Sequence, residues 1–153
     1  MNKILKLILI TIVCVSCNKD NCCEYIDRSI SLSFVSETGE DLLDSNSSEY
    51  INHNTLRVYY LNKEDNNRLV SSPNAITPYY NDPENKNCIE LLTSDYVDEN
   101  NQSVTYLKFS ESDMDTILCT MSSNSPAIVS KVRYNGKLII ANQVDDEFAV
   151  IIK

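Results

Sequence analysis

The sequence has 153 residues and contains no tryptophan, two glycines and one histidine, and these absences exclude several kinds of site. With Gly39 and Gly136 as its only glycines, the chain has no glycine-rich loop that could cradle a phosphate. His53 stands alone between Asn52 and Asn54, so a site that needs two histidines is excluded. The G-x-S-x-G pattern of the α/β-hydrolase nucleophile is also absent.

Positive charge is scarce. The chain has 13 Lys and Arg residues against 22 Asp and Glu residues, for a formal net charge of −9. Binding to nucleic acid, or electrostatic docking on anionic lipid, normally requires clusters of Lys and Arg. We therefore expect no nucleic-acid partner. No motif for an organic cofactor is present either, so none is predicted.

The chain also lacks a long apolar run. The longest extends from Leu7 to Val15, is interrupted by Thr11, and follows Lys3 and Lys6. Its length fits the h-region of a secretory signal, roughly 7–15 residues, and falls short of the roughly 20 residues of a membrane-spanning helix. Residues 1–16 are therefore predicted to be a leader that is removed.

A small residue followed by cysteine ends this leader, at Ser16 and Cys17. The pattern resembles the lipobox of bacterial lipoproteins, and the resemblance implies cleavage after Ser16 and lipidation of Cys17. The family prefers leucine three residues before the cysteine, where this chain has Cys14. The alternatives are an ordinary cleaved signal or an uncleaved N-terminal anchor. With the lipobox, we expect the protein to be held on a membrane by its lipid.

Residues 17–27 are predicted to form a polar tether and residues 28–153 a single domain. Lys19 followed by Asp20 resembles the short surface-export signals of Bacteroidota lipoproteins, which implies the outer membrane or cell surface of a Gram-negative bacterium. A solvated linker is the alternative. Loss of the leader leaves 11 basic and 22 acidic residues, so the mature chain has a formal charge of −11.

Four cysteines follow Cys17, and their even number in an oxidising compartment indicates disulfides. They are Cys22, Cys23, Cys88 and Cys119. A bond between the neighbours Cys22 and Cys23 would be strained, because their Cα atoms lie closer than disulfide geometry prefers. The other pairings each join the tether to the domain twice, and a single bridge from Cys88 to Cys119 is a further alternative. A zinc site is disfavoured because the usual C-x₂₋₄-C pairs are missing.

Apolar residues alternate with polar ones along several short segments, which is typical of half-buried β-strands. Ser29 to Phe34 and Leu56 to Leu61 show this pattern, and Asn135-Gly136 between two alternating runs predicts a type I′ hairpin. No segment keeps a helical period. We therefore predict an all-β domain, a single antiparallel β-sandwich (Ig-like or related) of about eight strands. The predicted core is Ile30, Leu32, Phe34, Leu56, Val58, Leu107, Phe109, Ile117, Val132, Ile139, Val150 and Ile152.

Paired tyrosines are the candidate binding residues. Tyr59 with Tyr60, and Tyr79 with Tyr80, place an aromatic ring on both faces of an extended segment, so one of each pair is available to stack on a sugar or a protein. The alternative is that the rings border the core and only their hydroxyls reach water.

Four aspartates are weak candidates for Ca²⁺ ligands, since carboxylate oxygens suit that ion but the EF-hand spacing is absent. The alternative is solvated turns. They are Asp41, Asp44, Asp113 and Asp115.

Four segments resemble small Bacteroidota lipoproteins of unknown activity, so the resemblance implies a fold and transfers no site. We expect a non-enzymatic binding or structural module that faces a protein or glycan partner. The rivals are an envelope hydrolase with a carboxylate site, which requires a concave pocket with raised carboxylate pKa values, and an accessory subunit that pairs by strand addition. The segments are GEDLLD at 39–44, TLRVYYL at 55–61, YLKFSESDMDTI at 106–117 and VRYNGKLI at 132–139.

Overall fold

The computed structural model describes residues 27–65, 67–81, 86–123, 125–141 and 148–153. These residues form a sandwich-like all-β fold with a single turn of 3₁₀ helix at His53–Thr55. The strands are β1 Ser29–Val35, β2 Arg57–Asn62, β3 Arg68–Ser71, β4 Ile76–Asn81, β5 Lys86–Leu92, β6 Gln102–Lys108, β7 Met114–Ser122, β8 Ser125–Tyr134, β9 Lys137–Ile140 and β10 Phe148–Ile152.

The strands form two sheets, one of four strands in the order β10-β1-β5-β4 and one of six in the order β3-β2-β6-β7-β8-β9. The described part of the chain therefore has ten strands rather than about eight. The strand with the weakest pattern is β4, which contains Pro78. Proline is tolerated there because β4 lies at a sheet edge in the described topology.

One pairing departs from the predicted antiparallel arrangement. The first and last strands, β1 and β10, run parallel, with Leu32 beside Ala149 and Phe34 beside Ile151. A short hairpin forces its two strands to be antiparallel, but β1 and β10 are separated by the rest of the domain. Their relative direction is therefore set by packing and is invisible to a local pattern.

Alternation predicts the remaining strands well because each sheet buries one face. In β1, Ile30, Leu32 and Phe34 are at most 2% exposed and point into the core. The predicted β8–β9 hairpin is confirmed, since Asn135 and Gly136 have φ values of 47° and 82°. Both turn residues thus take the left-handed conformation that a type I′ turn requires.

The core lies between the two sheets. The ring of Phe34 from the four-stranded sheet meets Phe109 edge to face, with ring centroids 5.3 Å apart, and Tyr134 of the six-stranded sheet at 6.5 Å. The Tyr60 hydroxyl of the six-stranded sheet donates to the Leu92 carbonyl of the other sheet at 2.9 Å. These contacts connect the sheets through both apolar packing and a hydrogen bond.

Most of the predicted core is confirmed, but Val150 and Ile152 are wrong: they are 42% and 66% exposed. Their neighbours Ala149 and Ile151 are buried instead, at 6% each. Every residue of the segment Phe148–Ile152 is apolar, so the sequence contains no alternation that could assign its faces. Two other residues of the predicted core, Phe109 and Ile139, are partly buried and pack against the fully buried core residues.

Candidate functional site

Charge is distributed unevenly between the strands and the loops. The strands of the six-stranded sheet contain a single carboxylate, Asp115, which is only 7% exposed. The same strands contain six basic residues, although acidic residues outnumber basic ones in the whole chain. This sheet is therefore locally cationic. The six are Arg57, Arg68, Lys108, Lys131, Arg133 and Lys137.

Strand pairing places several of these cations on the face of the sheet that points away from the core. Val58 and Leu107, which are directly paired, point inward and are at most 2% exposed. The residues one position before and after them point outward, because successive side chains alternate between the two faces. On that outward face Arg57 pairs with Lys108, Tyr59 with Tyr106, Leu118 with Arg133, and Thr120 with Lys131.

Tyr59 and Tyr106 lie directly opposite each other on adjacent strands, and both are half-buried. Opposed residues have Cβ atoms about 4.5–5.5 Å apart, so the two side chains are neighbours on this face. Tyr60, the other member of the predicted pair, points away from this face. It lies 9% exposed in the core, burial raises the pKa of its phenol, and its hydroxyl is bonded to Leu92.

The cations near these two tyrosines differ in whether a carboxylate neutralises them. Lys108 forms an ion pair with Glu111 at 2.8 Å, which raises the pKa of the lysine. Arg57, Lys131 and Arg133 are exposed, and none of them takes part in an ion pair of the described residues. Arg57 and Arg133 instead donate to backbone carbonyls, for example Arg133 Nη1 to the oxygen of Gly136 at 3.1 Å.

We call these outward residues the cationic tyrosine face: Arg57, Tyr59, Tyr106, Lys108, Lys131 and Arg133. Sequence reasoning identified one of them, Tyr59. The others could have been found by combining alternation with correct strand pairing, since each occupies an outward position of a predicted strand. The net charge of the chain is negative and therefore gave no indication of a cationic surface.

The calcium candidates Asp41 and Asp44 are engaged in turn geometry. Asp41 Oδ2 accepts from the backbone and side-chain nitrogens of Asn87, at 3.0 and 2.9 Å, and its Oδ1 accepts from the Leu43 amide at 2.9 Å. Asp44 Oδ1 accepts from the backbone and side chain of Asn46, both at 2.9 Å. Their oxygens thus hold the loop after β1 in place.

The other two candidates, Asp113 and Asp115, form ion pairs with Lys153. Lys153 Nζ lies 2.7 Å from Asp113 and 2.8 Å from Asp115, and 3.6 Å from the centroid of the Phe109 ring. Asp115 also accepts from the Tyr134 hydroxyl and from Asn135 Nδ2, the latter at 2.7 Å. Within the described ranges, no group of three or more His, Cys, Asp or Glu side chains could hold a metal ion.

This network shifts both of its buried titratable groups. Burial opposes ionisation of Asp115, but the hydrogen bonds from Asn135, Lys153 and Tyr134 outweigh it and lower the pKa of the carboxyl. Burial and the adjacent carboxylate raise the pKa of the Tyr134 phenol. The charged groups of this network are ion-paired and hydrogen-bonded to one another, so we interpret the network as one that stabilises the fold.

Cys88 and Cys119 are buried, and no disulfide joins them, so the proposed single bridge is wrong. Cys88 belongs to β5 of the four-stranded sheet and Cys119 to β7 of the six-stranded sheet. Ile89 and Leu91 of β5 point into the core, so Cys88 points to the opposite face of its sheet, whereas Cys119 is part of the core between the sheets. Burial raises the pKa of the Cys119 thiol to about 12. Bridges to Cys22 or Cys23 involve residues outside the described ranges.

Two adjoining clefts of about 320 and 400 Å³ open beside the 3₁₀ turn and share His53 and Pro78. The smaller one is also lined by Tyr50 and Asn87. Asp44 is the single carboxylate among the described residues that line either cleft. Hydrolysis of a glycoside by paired carboxylates requires two such groups about 5–9 Å apart, and the linings of these two clefts offer one. A third cleft of about 330 Å³ is lined by Glu64, Asp98 and Glu99, and the hydrogen bond from Lys63 lowers the pKa of Asp98 there.

Other predicted site residues lie wholly or partly outside the description. Ser16 and Cys17 precede it. The backbone of Tyr79 and Tyr80 is paired with Cys88 and Asn87 in β4 and β5, but their side chains are not among those described. The predicted stacking role of this second tyrosine pair therefore stays a prediction.

No known family model, curated protein or solved structure matches this chain. Among the described residues, no helix has the length and apolar character needed to cross a membrane.

Proposed function

We propose that this chain is a lipid-anchored protein of the cell envelope, on the outer membrane or surface of a Gram-negative bacterium, attached through Cys17. Its domain is a β-sandwich of the Ig-like or a related type and acts as a non-enzymatic module that binds a protein or a glycan. The observation that carries the binding role is the cationic tyrosine face, where exposed cations and two tyrosines lie together on an open sheet surface.

The carboxylates support binding over hydrolysis. A general acid needs a carboxyl whose pKa is raised toward neutrality. Each described carboxyl with a resolved shift has a lowered pKa, and in each case hydrogen bonds favour the ionised form. These groups suit ion pairing and turn stabilisation, which is the opposite of what the rival hydrolase requires. They are Glu40, Asp98, Glu111 and Asp115.

Three of the four described sheet edges disfavour strand addition, and the fourth, β10, is an all-apolar strand of five residues without such protection. β3 and β9 at the two edges of the six-stranded sheet have four residues each, and β4 presents Pro78, which lacks the N–H that an added strand would pair with. Short strands and prolines are common ways of protecting an edge. Apart from β10, the sheet faces are therefore more suitable surfaces for a partner than the sheet edges.

Asp27 shows where the proposed tether meets the domain. Its carbonyl accepts from the Val129 amide at 3.0 Å, and Asp27 is bridged to Ile128, so the tether reaches the domain at the middle of β8. Asp27 lies ten positions after Cys17, and at about 3.3–3.6 Å per residue a tether of that length spans at most about 35 Å.

Two measurements test the proposal in intact envelopes. Cys17→Ala should remove lipid incorporation and release the protein from the membrane fraction, whereas the matched change Cys22→Ala should leave both unchanged. A photo-crosslinking residue at Thr120, on the cationic tyrosine face, should capture a partner that the same residue at the exposed Glu90 of the other sheet does not. Retention of Cys17→Ala in membranes, or equal capture from both positions, would contradict the proposal.

A further inference from the structure

The composition of the cationic tyrosine face defines which class of partner it suits. Acidic residues lie mainly in the loops, so an anion that approaches the sheet from the side meets cations with no competing strand carboxylate on that face. Lys131 and Arg133 are two residues apart on one strand, and both are exposed. Two residues of a strand span about 6.6 Å, so these charges suit an anion with repeated, spaced negative groups.

Hydrogen-bonding groups and rings lie between the cations, together with two apolar side chains, Val104 and Leu118. Thr116 is paired with Tyr106, and Thr120 with Gln102, and all four are partly exposed. Together with Tyr59 they form a surface of hydroxyl, amide and aromatic groups rather than a broad apolar patch. A sugar ring presents C–H groups that pack on a tyrosine face and hydroxyls that pair with such side chains.

The exposed apolar residues of the sheet are separated from one another. Leu69, Met114 and Leu138 lie on β3, β7 and β9, near the rim, and are 45–46% exposed. A protein partner would be expected to need a contiguous desolvated centre, and a lipid surface would be expected to take up adjacent apolar side chains. Scattered rim residues provide neither, whereas a linear polymer can cross between them.

We infer that the cationic tyrosine face binds an acidic polysaccharide, with Tyr59 and Tyr106 stacking on sugar rings and Lys131, Arg133 and Lys108 pairing with its carboxylates. This inference rests on the proposed binding function and names its partner class. The Lys108–Glu111 pair opens easily for such a ligand, because Glu111 is 96% exposed and an exposed ion pair is weak. Arginine can hold a carboxylate with two parallel hydrogen bonds.

The test uses full-length protein in detergent micelles and polygalacturonate, a linear polymer of uronic acid, as the probe. Neutral dextran, polyglutamate and anionic lipid vesicles are the comparison ligands. Binding to polygalacturonate should be saturable, should weaken as salt is raised, and should exceed binding to dextran by at least about tenfold, since one charge-assisted contact corresponds to about that factor. Binding to polyglutamate or to vesicles that equals this affinity would overturn the assignment to a glycan.

Matched variants locate the site. The double change Lys131→Gln with Arg133→Gln should weaken binding at least about tenfold, and Tyr59→Ala by about fivefold. Lys137→Gln is the control, because Lys137 is an exposed cation of the same sheet that is paired with the inward-pointing Tyr134. Thermal unfolding checks that each variant is folded. An unchanged affinity in the double variant, or an equal loss in the control, would overturn the inference, while crosslinking from Thr120 would report separately on the proposed function.

Discussion

Removal of the Asp115 carboxylate should be among the most damaging single changes in the domain. In Asp115→Ala the Tyr134 hydroxyl and Asn135 Nδ2 lose an acceptor, and Lys153 loses one of its two carboxylates. The side chains of Lys153 and Asp115 are 19% and 10% exposed, so solvent replaces these contacts poorly. Breaking a buried pair from one side costs about 3–5 kcal/mol, and the surviving bond to Asp113 moderates the loss to about 3–4 kcal/mol.

The assay is urea unfolding of wild type, Asp115→Ala and Asp113→Ala at neutral pH, with thermal unfolding beside it. A loss of 3–4 kcal/mol corresponds to roughly 12–16 °C in a domain of this size. Asp113 is 47% exposed, so its replacement should cost less than about 1 kcal/mol. An Asp115→Ala protein within about 1 kcal/mol of wild type, or an equal loss from Asp113→Ala, would refute the reasoning.

The pH dependence gives the same prediction a second readout. Because the pKa of Asp115 is lowered in the folded state, its contribution is fully present above its unfolded value of about 3.9 and is lost as the pH falls through the folded pKa. The difference in unfolding free energy between wild type and Asp115→Ala should therefore be largest near neutrality and should shrink below about pH 4. A difference that stays constant down to pH 2 would show that the carboxylate's charge is irrelevant.

Two further outcomes follow from burial. Ile151→Ala should lower the free energy of unfolding by about 2–4 kcal/mol and Ile152→Ala by under about 0.5 kcal/mol. The reason is that the side chain of Ile151 is 6% exposed and that of Ile152 is 66% exposed. Equal losses would mean that β10 is paired with β1 in another register. Cys119 should resist a thiol reagent at pH 8 until the protein unfolds, as burial holds its pKa at about 12; rapid labelling of the native protein at this residue, located by mass spectrometry, would contradict that burial.

The fold was predictable wherever one face of a strand is buried and the other is wet. Ser29–Val35 begins at its predicted residue, and the Asn135-Gly136 turn forms because both residues tolerate positive φ. Local patterns failed where their physical basis disappears. An all-apolar strand such as Phe148–Ile152 has no polar positions that would identify its solvent-exposed face. The parallel pairing of β1 with β10 joins residues more than 100 positions apart, so no local pattern can predict it.

The candidate site was predictable in part, and for a specific reason. A tyrosine doublet in a strand must place one ring on each face, but the sequence does not say which ring is buried. The structure resolves this through Val58, whose burial fixes Tyr60 inward and Tyr59 outward. The partner ring, Tyr106, lies 47 residues later and meets Tyr59 only through the pairing of β2 with β6. No local motif carries that information.

The cationic tyrosine face shows why the net charge of the whole chain was a poor guide to the charge of one surface. A net charge of −9 describes the field far from the protein, where the contributions of all residues combine. At physiological ionic strength an exposed charge is largely screened beyond about 8 Å, so a ligand in contact with β6 and β8 senses mainly the side chains beneath it. Those are Lys108, Lys131 and Arg133, and they have one exposed carboxylate, Glu111, bonded to one of them. If the outward positions of each strand are examined for charge instead of hydropathy, these cations are found in the strands and the acidic residues mainly in the loops. The same acidic loops should also disfavour an anionic polymer at either end of the sandwich, which leaves the side as its point of contact.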